Sequence, residues 1–116
     1  MLHKGSCHCG AVAYEVESDL ERVIECNCTH CIRKGYLLTF VPRPALRIVQ
    51  GASELSTYTF NTHNIKHRFC KTCGCAPFGE GRRPNSGEEM AAINVRCLED
   101  VDLTTLGIVP VDGRSR

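Results

Sequence analysis

Three cysteines within six residues, in the pattern C-x-C-x2-C at positions 26–31, constrain this chain more than any other feature. Two shorter clusters flank them, a C-x-C pair at 7–9 and a C-x2-C-x-C run at 70–75. Cysteines this dense are typical of a metal site, a redox dithiol or a disulfide framework. The chain has nine cysteines, an odd number, so they cannot all pair as disulfides within one molecule.

The N-terminus and the spacing together favour metal. Residues 1–5, MLHKG, are not followed by an apolar segment, so we expect no secretory signal and a cytoplasmic protein. The apolar runs are only a few residues long, so no membrane span is expected. In a reducing cytosol, C-x-C and C-x2-C pairs are better explained as zinc ligands. We therefore expect zinc, with a redox dithiol as the second interpretation and disulfides as the third.

Length and net charge limit the number of domains and the kinds of binding partner. The chain of 116 residues predicts a single domain spanning residues 1–116. Its formal net charge of +1 gives no electrostatic basis for strong binding to nucleic acid or to an anionic membrane. The sequence leaves the oligomeric state open.

The fold expected is mainly β, built from many short strands with little helix. Period-two and β-rich segments predict strands near positions 11–16, 23–25, 36–41, 46–50, 55–60, 65–69 and 90–95. One helical turn is expected after Thr29, which would cap it, and Gly35 would end it. Residues 79–88 are rich in Gly, Pro, Asn, Ser and Arg and predict an exposed, mobile loop.

Four cysteines are expected to form a closed structural site, because a structural zinc takes four protein ligands. Cys7 and Cys9 supply one half, and Cys70 and Cys73 supply the other. Gly74, which follows the second pair, suits a backbone that turns its N–H groups toward the sulfurs. Such a site would tie the N-terminal hairpin to the middle of the chain.

Cys26, Cys28 and Cys31 remain as a set of three. Three protein ligands with a vacant fourth position are the pattern of a catalytic zinc. Two alternatives stay open. Either His30 or Cys75 supplies the fourth ligand and closes the site, or the three cysteines carry no metal.

Other side chains are expected in supporting roles. Cys97 is expected to be a free cysteine in the core, and His8 to cap or solvate its turn. His67 is expected to donate a hydrogen bond near a metal loop, with acid–base chemistry or plain packing as alternatives. The aromatic residues expected in the core are Tyr58, Phe60, Phe69 and Phe78.

Four motifs, in order along the chain, resemble one known family. They are GSCHCGAV at 5–12, CNCTHC at 26–31, YTFNTH at 58–63 and HRFCKTCG at 67–74. Together they are similar to the glutathione-dependent formaldehyde-activating enzyme family, in particular its centromere protein V-like branch, over positions 5 to 106. The resemblance implies an Mss-four-like fold in which small antiparallel sheets surround zinc.

The resemblance also implies the ligands and the chemistry. It implies a structural zinc on Cys7, Cys9, Cys70 and Cys73, and a catalytic zinc on Cys26, Cys28 and Cys31, which is the division that spacing predicts. The implied enzyme is a carbon–sulfur lyase, similar to S-hydroxymethylglutathione synthase. It would act on an adduct of glutathione, or another small thiol, with formaldehyde or a related aldehyde.

The mechanism expected from these residues uses a coordinated thiol, because zinc strongly lowers the pKa of a thiol bound to it. The thiolate would attack the aldehyde, and Asn27, Thr29 or His30 would hydrogen-bond the developing alkoxide. Arg82 and Arg83 would offer positive charge to the carboxylates of glutathione if their loop folds over the site. The alternative function is a non-catalytic zinc module that binds protein or nucleic acid.

Overall fold

A computed structural model describes residues 1–115. Over these residues the chain forms ten strands, one α-helix and four 3-10 helices. The strands are β1 (Leu2–Ser6), β2 (Ala13–Glu17), β3 (Val23–Cys26), β4 (Leu38–Pro42), β5 (Leu46–Gln50), β6 (Leu55–Tyr58), β7 (Lys66–Cys70), β8 (Phe78–Arg82), β9 (Glu89–Asn94) and β10 (Ile108–Val111). The α-helix is α1 (Thr29–Lys34), and the 3-10 helices are Arg43–Ala45, Ala52–Glu54, Val95–Cys97 and Leu103–Thr105.

The strands form two sheets. A three-stranded antiparallel sheet has the order β1-β2-β5, and a seven-stranded sheet has the order β10-β3-β4-β9-β8-β7-β6. The larger sheet is antiparallel except at one edge, where β10 runs parallel to β3. The expected mainly β fold is therefore confirmed. The larger sheet is wider than the small antiparallel sheets we expected, and it is mixed.

The principal core lies where the two sheets meet. Alternation along β2 buries Tyr14 and Val16, since successive residues of a strand face opposite sides. The Tyr14 ring packs edge-on against Phe78 of β8, with 5.4 Å between ring centroids and 79° between ring planes. This contact joins the small sheet to the centre of the large one. Residues buried with them are Val23, Leu37, Val41, Leu46, Ala91, Ile93, Val95 and Leu98.

The loop prediction for residues 79–88 is wrong in its first part. Residues 79–82 belong to β8, which lies between β7 and β9 in the larger sheet. Gly79 and Gly81 favour a loop by residue type, but close packing against residues 65–66 explains why glycine occurs at both positions. A Cβ on Gly79 would lie 3.3 Å from the carbonyl oxygen of Lys66, and one on Gly81 would lie 3.3 Å from Cγ1 of Ile65. The glycines make room for the segment that crosses over them.

Smaller differences concern strand ends and aromatic residues. The other expected strands are present, with ends displaced by at most two residues, while β10 was not predicted. Of the four aromatic residues expected in the core, Phe78 is fully buried, Phe60 and Phe69 are partly buried, and Tyr58 is half exposed. No helix in the described part of the chain is long and apolar enough to cross a membrane.

The contact between the sheets can be tested by truncating one ring. Phe78→Ala should lower the free energy of unfolding by about 3–5 kcal/mol, because it leaves a cavity beneath Tyr14. Phe40→Ala is the matched control, since the Phe40 ring on β4 is 50% exposed. That change should cost no more than about 1 kcal/mol. Urea denaturation measures both, and equal losses would contradict the position of the core.

Candidate metal centres

Seven of the nine cysteines gather into two groups. Within each group the sulfur atoms all lie within 4.8 Å of one another. The groups are Cys7, Cys9, Cys70 and Cys73, and Cys26, Cys28 and Cys31, which is the division predicted from spacing. Among residues 1–115, neither His30 nor Cys75 joins either group.

The four-cysteine group joins distant parts of the chain. Cys7 and Cys9 lie between β1 and β2, Cys70 ends β7, and Cys73 lies in the turn that follows. The sulfur of Cys9 is 3.6 Å from that of Cys7 and 3.7 Å from that of Cys70. Four sulfurs at 2.3 Å from one tetrahedral zinc would be separated by about 3.8 Å. The two distances from Cys9 therefore match the spacing that such an ion requires.

Gly51 supports the loop that presents Cys7 and Cys9. The Cys7 N–H donates to the carbonyl oxygen of Val12 at 3.1 Å, and the Val12 N–H donates to Cys7 Sγ at 3.3 Å. Gly51 lies against this loop with φ of 81°, in the left-handed region. A Cβ there would overlap the carbonyl oxygen of Ala11 and lie 2.9 Å from the Cα of Val12. Both the conformation and the contact require glycine.

The turn after β7 shapes the other half of this group. Gly74 has φ of 79°, and its N–H donates to the carbonyl oxygen of Cys70 at 2.8 Å. The backbone N–H of Cys75, followed by that of Cys9, lowers the pKa of the Cys73 thiol to about 5. Cys73 is therefore a thiolate at neutral pH, which is the form that binds a metal.

The three-cysteine group is local. Cys26 ends β3, and its sulfur accepts the Cys28 N–H at 3.4 Å. The sulfur of Cys28 accepts the Cys31 N–H at 3.3 Å, so Cys28 caps α1. The prediction that Thr29 is the cap was wrong, because the sulfur one residue earlier takes that hydrogen bond. Gly35 ends the helix as expected, with φ of 69°.

Two of these thiols differ in their readiness to ionise. Burial raises the pKa of Cys28, but hydrogen bonds, first that from the Cys31 N–H, outweigh burial and lower the pKa overall. Burial raises the pKa of the Cys31 thiol well above its usual value. Cys28 is thus the better thiolate, while Cys31 keeps its proton in the metal-free protein. A bound cation would displace that proton.

A cavity of about 460 Å³ opens beside this group and is lined by Cys26 and Cys31. Tyr36 forms part of its wall. Burial raises the pKa of Tyr36 to about 12, so its hydroxyl is protonated at neutral pH and can donate a hydrogen bond. Glu25 and Asp112 bring carboxylates to the wall, and no lysine or arginine among residues 1–115 lines it.

His30 lies in an aromatic cluster instead of closing the metal group. Its ring centroid is 4.3 Å from that of His67 and 5.2–5.6 Å from those of Phe60, Tyr36 and Tyr58. Burial, followed by the proximity of His30, lowers the pKa of His67 to about 4, so His67 is neutral at pH 7. Both His30 nitrogens are buried, and among the described residues neither has a hydrogen-bond partner. The His67 ring contacts the rings of His30 and Phe60, and the hydrogen bond expected from it near a metal loop stays a prediction.

Arg82 and Arg83 do not cover the three cysteines. Arg82 pairs with Glu89 at 2.8 Å, and Arg83 pairs with Glu88 at 3.2 Å, across their own hairpin. Both arginines line a separate groove of about 840 Å³ over the large sheet. The two arginines expected to place positive charge over the three cysteines are thus each paired with a glutamate and line a different groove.

The two remaining cysteines lie outside both groups. Cys75 packs beside Cys7 and Cys70. Cys97 is partly buried, and burial raises its pKa to about 11, so its thiol stays protonated.

Two features of the site were not predicted. The sequence predicts Tyr36 only as a strand residue, since nothing in its sequence neighbourhood indicates a cavity wall. The tail after β10 returns to the three cysteines, and the Asn27 N–H donates to the carbonyl oxygen of Val111 at 3.1 Å. Such a return depends on the parallel pairing of β10 with β3, which local patterns do not reveal.

Comparison with known proteins identifies the family of this chain. The family model described as glutathione-dependent formaldehyde-activating enzyme matches residues 2–107, which is most of the sequence. The chain belongs to this family. A crystal structure of a Rhodobacter sphaeroides protein is 39% identical to this member of the glutathione-dependent formaldehyde-activating enzyme family, with a TM-score of 0.80. The similarity covers 92% of this chain and 97% of that one. The family match ends at Gly107, before β10 and the tail.

The contact of Gly51 with the loop of Cys7 and Cys9 can be tested separately from the backbone conformation of Gly51. Gly87 has φ of 72° and nothing within 4 Å of an added Cβ, so Gly87→Ala introduces only the conformational strain. That strain should cost about 1–2 kcal/mol. Gly51→Ala should destabilise the protein by about 1–3 kcal/mol more, because the methyl group also overlaps the cysteine loop. Thermal melting compares them, and equal effects would show that the contact is unimportant.

Proposed function

We propose that this protein is a zinc-dependent carbon–sulfur lyase. It catalyses the reversible addition of a small thiol, glutathione above all, to formaldehyde or a related aldehyde. The observation that carries this proposal is the three-cysteine group, because a cavity opens beside two of its sulfurs. Family membership supports the association with glutathione and formaldehyde.

The donor atoms fit zinc at both groups, since thiolates are soft ligands that select it. Cys7, Cys9, Cys70 and Cys73 would form a closed structural site. Cys26, Cys28 and Cys31 would hold the second ion. Held there, zinc would act as a Lewis acid toward a substrate thiol and lower the pKa of that thiol.

The reaction needs no oxidant or reductant. The substrate thiol loses its proton, a bond forms between its sulfur and the carbonyl carbon, and one C=O electron pair moves to oxygen. That oxygen takes up a proton to give the S-hydroxymethyl adduct. The reverse reaction removes the hydroxyl proton and breaks the C–S bond.

Tyr36 is the residue that we propose as hydrogen-bond donor to the oxygen. It lines the cavity with a protonated hydroxyl. Asn27, one of the expected donors, also lines the cavity, but its Oδ1 accepts the Arg114 N–H at 3.0 Å and its side-chain amide donates to Asp112. His30 and Thr29, the other two, do not line the cavity. Tyr36 therefore replaces all three in the proposed mechanism.

The charge of the cavity bears on which thiols bind. Hydrogen bonds from Ser115 and Asn27 lower the pKa of Asp112, so its carboxyl is ionised at neutral pH. Glu25 lies on the same wall. These carboxylates can pair with the ammonium group of the γ-glutamyl residue of glutathione, while its carboxylates would point toward solvent.

This charge predicts a preference between matched thiols. For aldehyde addition, 2-aminoethanethiol should have a KM about fivefold lower than that of 3-mercaptopropionate, as one charge pair near 4 Å contributes about 1 kcal/mol in water. The two thiols differ in their own pKa values, so the wild-type ratio must be compared with that of Asp112→Asn. The ratio should fall in that variant. An unchanged ratio would remove Asp112 from substrate binding.

The experiment that tests the function combines metal analysis with exchange spectroscopy. Wild-type protein should contain about two zinc ions per chain, and Cys28→Ser should contain about one. With ¹³C-formaldehyde and glutathione, wild-type protein should accelerate exchange between free aldehyde and adduct, as measured by NMR. Cys28→Ser should lose this acceleration while keeping its melting temperature within a few degrees.

Two variants control this experiment. Cys97→Ser should keep both metal ions and the activity, because Cys97 belongs to neither group. Cys70→Ala should unfold or become insoluble, since metal binding at a structural site is part of the folding free energy. If Cys28→Ser unfolds as badly as Cys70→Ala, the three cysteines are structural and the proposed enzyme function is wrong.

A further inference from the structure

The C-terminal strap, defined as residues 111–115, folds back over the three-cysteine loop. It follows β10, which runs parallel to β3 in a register that places Val111 opposite Cys26. The chain thereby returns to the strand that delivers the first of the three cysteines. The strap lies beyond the residues matched by the family model, which end at Gly107.

Hydrogen bonds fasten the strap on both sides of Asn27, the residue between Cys26 and Cys28. The Asn27 N–H donates to the carbonyl oxygen of Val111 at 3.1 Å. The Asn27 Oδ1 accepts the Arg114 N–H at 3.0 Å. Between these attachments the strap lies against the sulfur of Cys26.

Gly113 is the point of closest approach. A Cβ on Gly113 would overlap Cys26 Sγ and lie 3.3 Å from the Cβ of Cys28. The φ of Gly113 lies outside the left-handed region, so the backbone would accept alanine without strain. Glycine is needed here because of the sulfur beside it, and its conformational freedom is not used.

We propose that Gly113 is a positioning residue of the three-cysteine centre. Its bare Cα lets the strap press against Cys26 Sγ and hold that sulfur within ligand distance of Cys28 and Cys31. The strap also supplies one wall of the cavity through Val111 and Asp112. This inference rests on the proposed function, since it assigns the centre a metal.

The physical consequence of a methyl group at this position is specific. Either the sulfur of Cys26 shifts away from its two partners, or the strap lifts and releases it. None of the three atoms nearest to an added Cβ on Gly113 belongs to the four-cysteine group. Changes to residues that orient metal ligands typically weaken metal affinity by about 10–100-fold. Only one of the two centres should show this loss.

The test compares Gly113→Ala with Gly107→Ala in the full chain. Gly107 precedes β10, has nothing within 4 Å of an added Cβ and also lies outside the left-handed region, so it controls for the residue change. Each protein is loaded with Co²⁺ in place of zinc and titrated with a chromophoric chelator, so that the folded, metal-bound protein is measured. Absorption from sulfur-to-cobalt charge transfer reports how many thiolates bind at each step.

In Gly113→Ala, the Co²⁺ equivalent that Cys28→Ser loses should fall about 10–100-fold in affinity and lose charge-transfer intensity. The other equivalent, and the melting temperature of protein that holds this one ion, should match those of Gly107→Ala. Asn27→Ala, which releases the strap without adding atoms, should weaken the same equivalent.

Cys28→Ser separates the possible failures. If Cys28→Ser loses one Co²⁺ equivalent while Gly113→Ala binds both as tightly as Gly107→Ala, the positioning role is wrong and the centre stands. If Cys28→Ser keeps both equivalents at full intensity, the three-cysteine centre is wrong, and the positioning role falls with it. A loss of affinity at both equivalents in Gly113→Ala would also overturn the inference, because it would indicate general disruption.

Discussion

The close approach of sulfur atoms from the two sheets is the constraint on which the rest of this structure depends. Cys9 follows a strand of the small sheet and Cys70 ends a strand of the large one, and their sulfurs lie 3.7 Å apart. Thiolates this close repel one another unless a cation lies between them or protons remain on some of them. The tight turns at Gly51 and Gly74 have backbone conformations that favour glycine, and they bring these sulfurs together in spite of that repulsion.

The two cysteine groups differ in how the chain assembles them. The four-cysteine group joins positions 61 residues apart, from Cys9 to Cys70, so it forms only when the sheets meet. The three-cysteine group forms within one short loop and one helical turn. The sulfurs of Cys26 and Cys28 accept local hydrogen bonds from backbone N–H groups. Binding and release of an ion at the local group can therefore proceed without unfolding the sheets.

The sequence allowed the cysteines to be grouped, because ligand spacing within a loop is a local property. It also located most strands, where β-rich segments end at turns. It failed at β8, since Gly79 and Gly81 leave room for Lys66 at the start of β7 and for Ile65 just before it. The sequence also did not predict that Tyr36 and the tail line the cavity. A cavity wall made by two distant segments leaves no periodic signal in either segment.

The parallel pairing of β10 with β3 makes the three-cysteine loop depend on an edge strand. β10 is hydrogen-bonded to the large sheet on one side only, so it detaches more easily than an interior strand. Detachment of β10 would move the strap away from Cys26, because Gly113 lies against the sulfur of that residue. Exposure of the loop to solvent and oxidants is therefore governed by fraying at one edge of the sheet, and it does not require the whole protein to unfold.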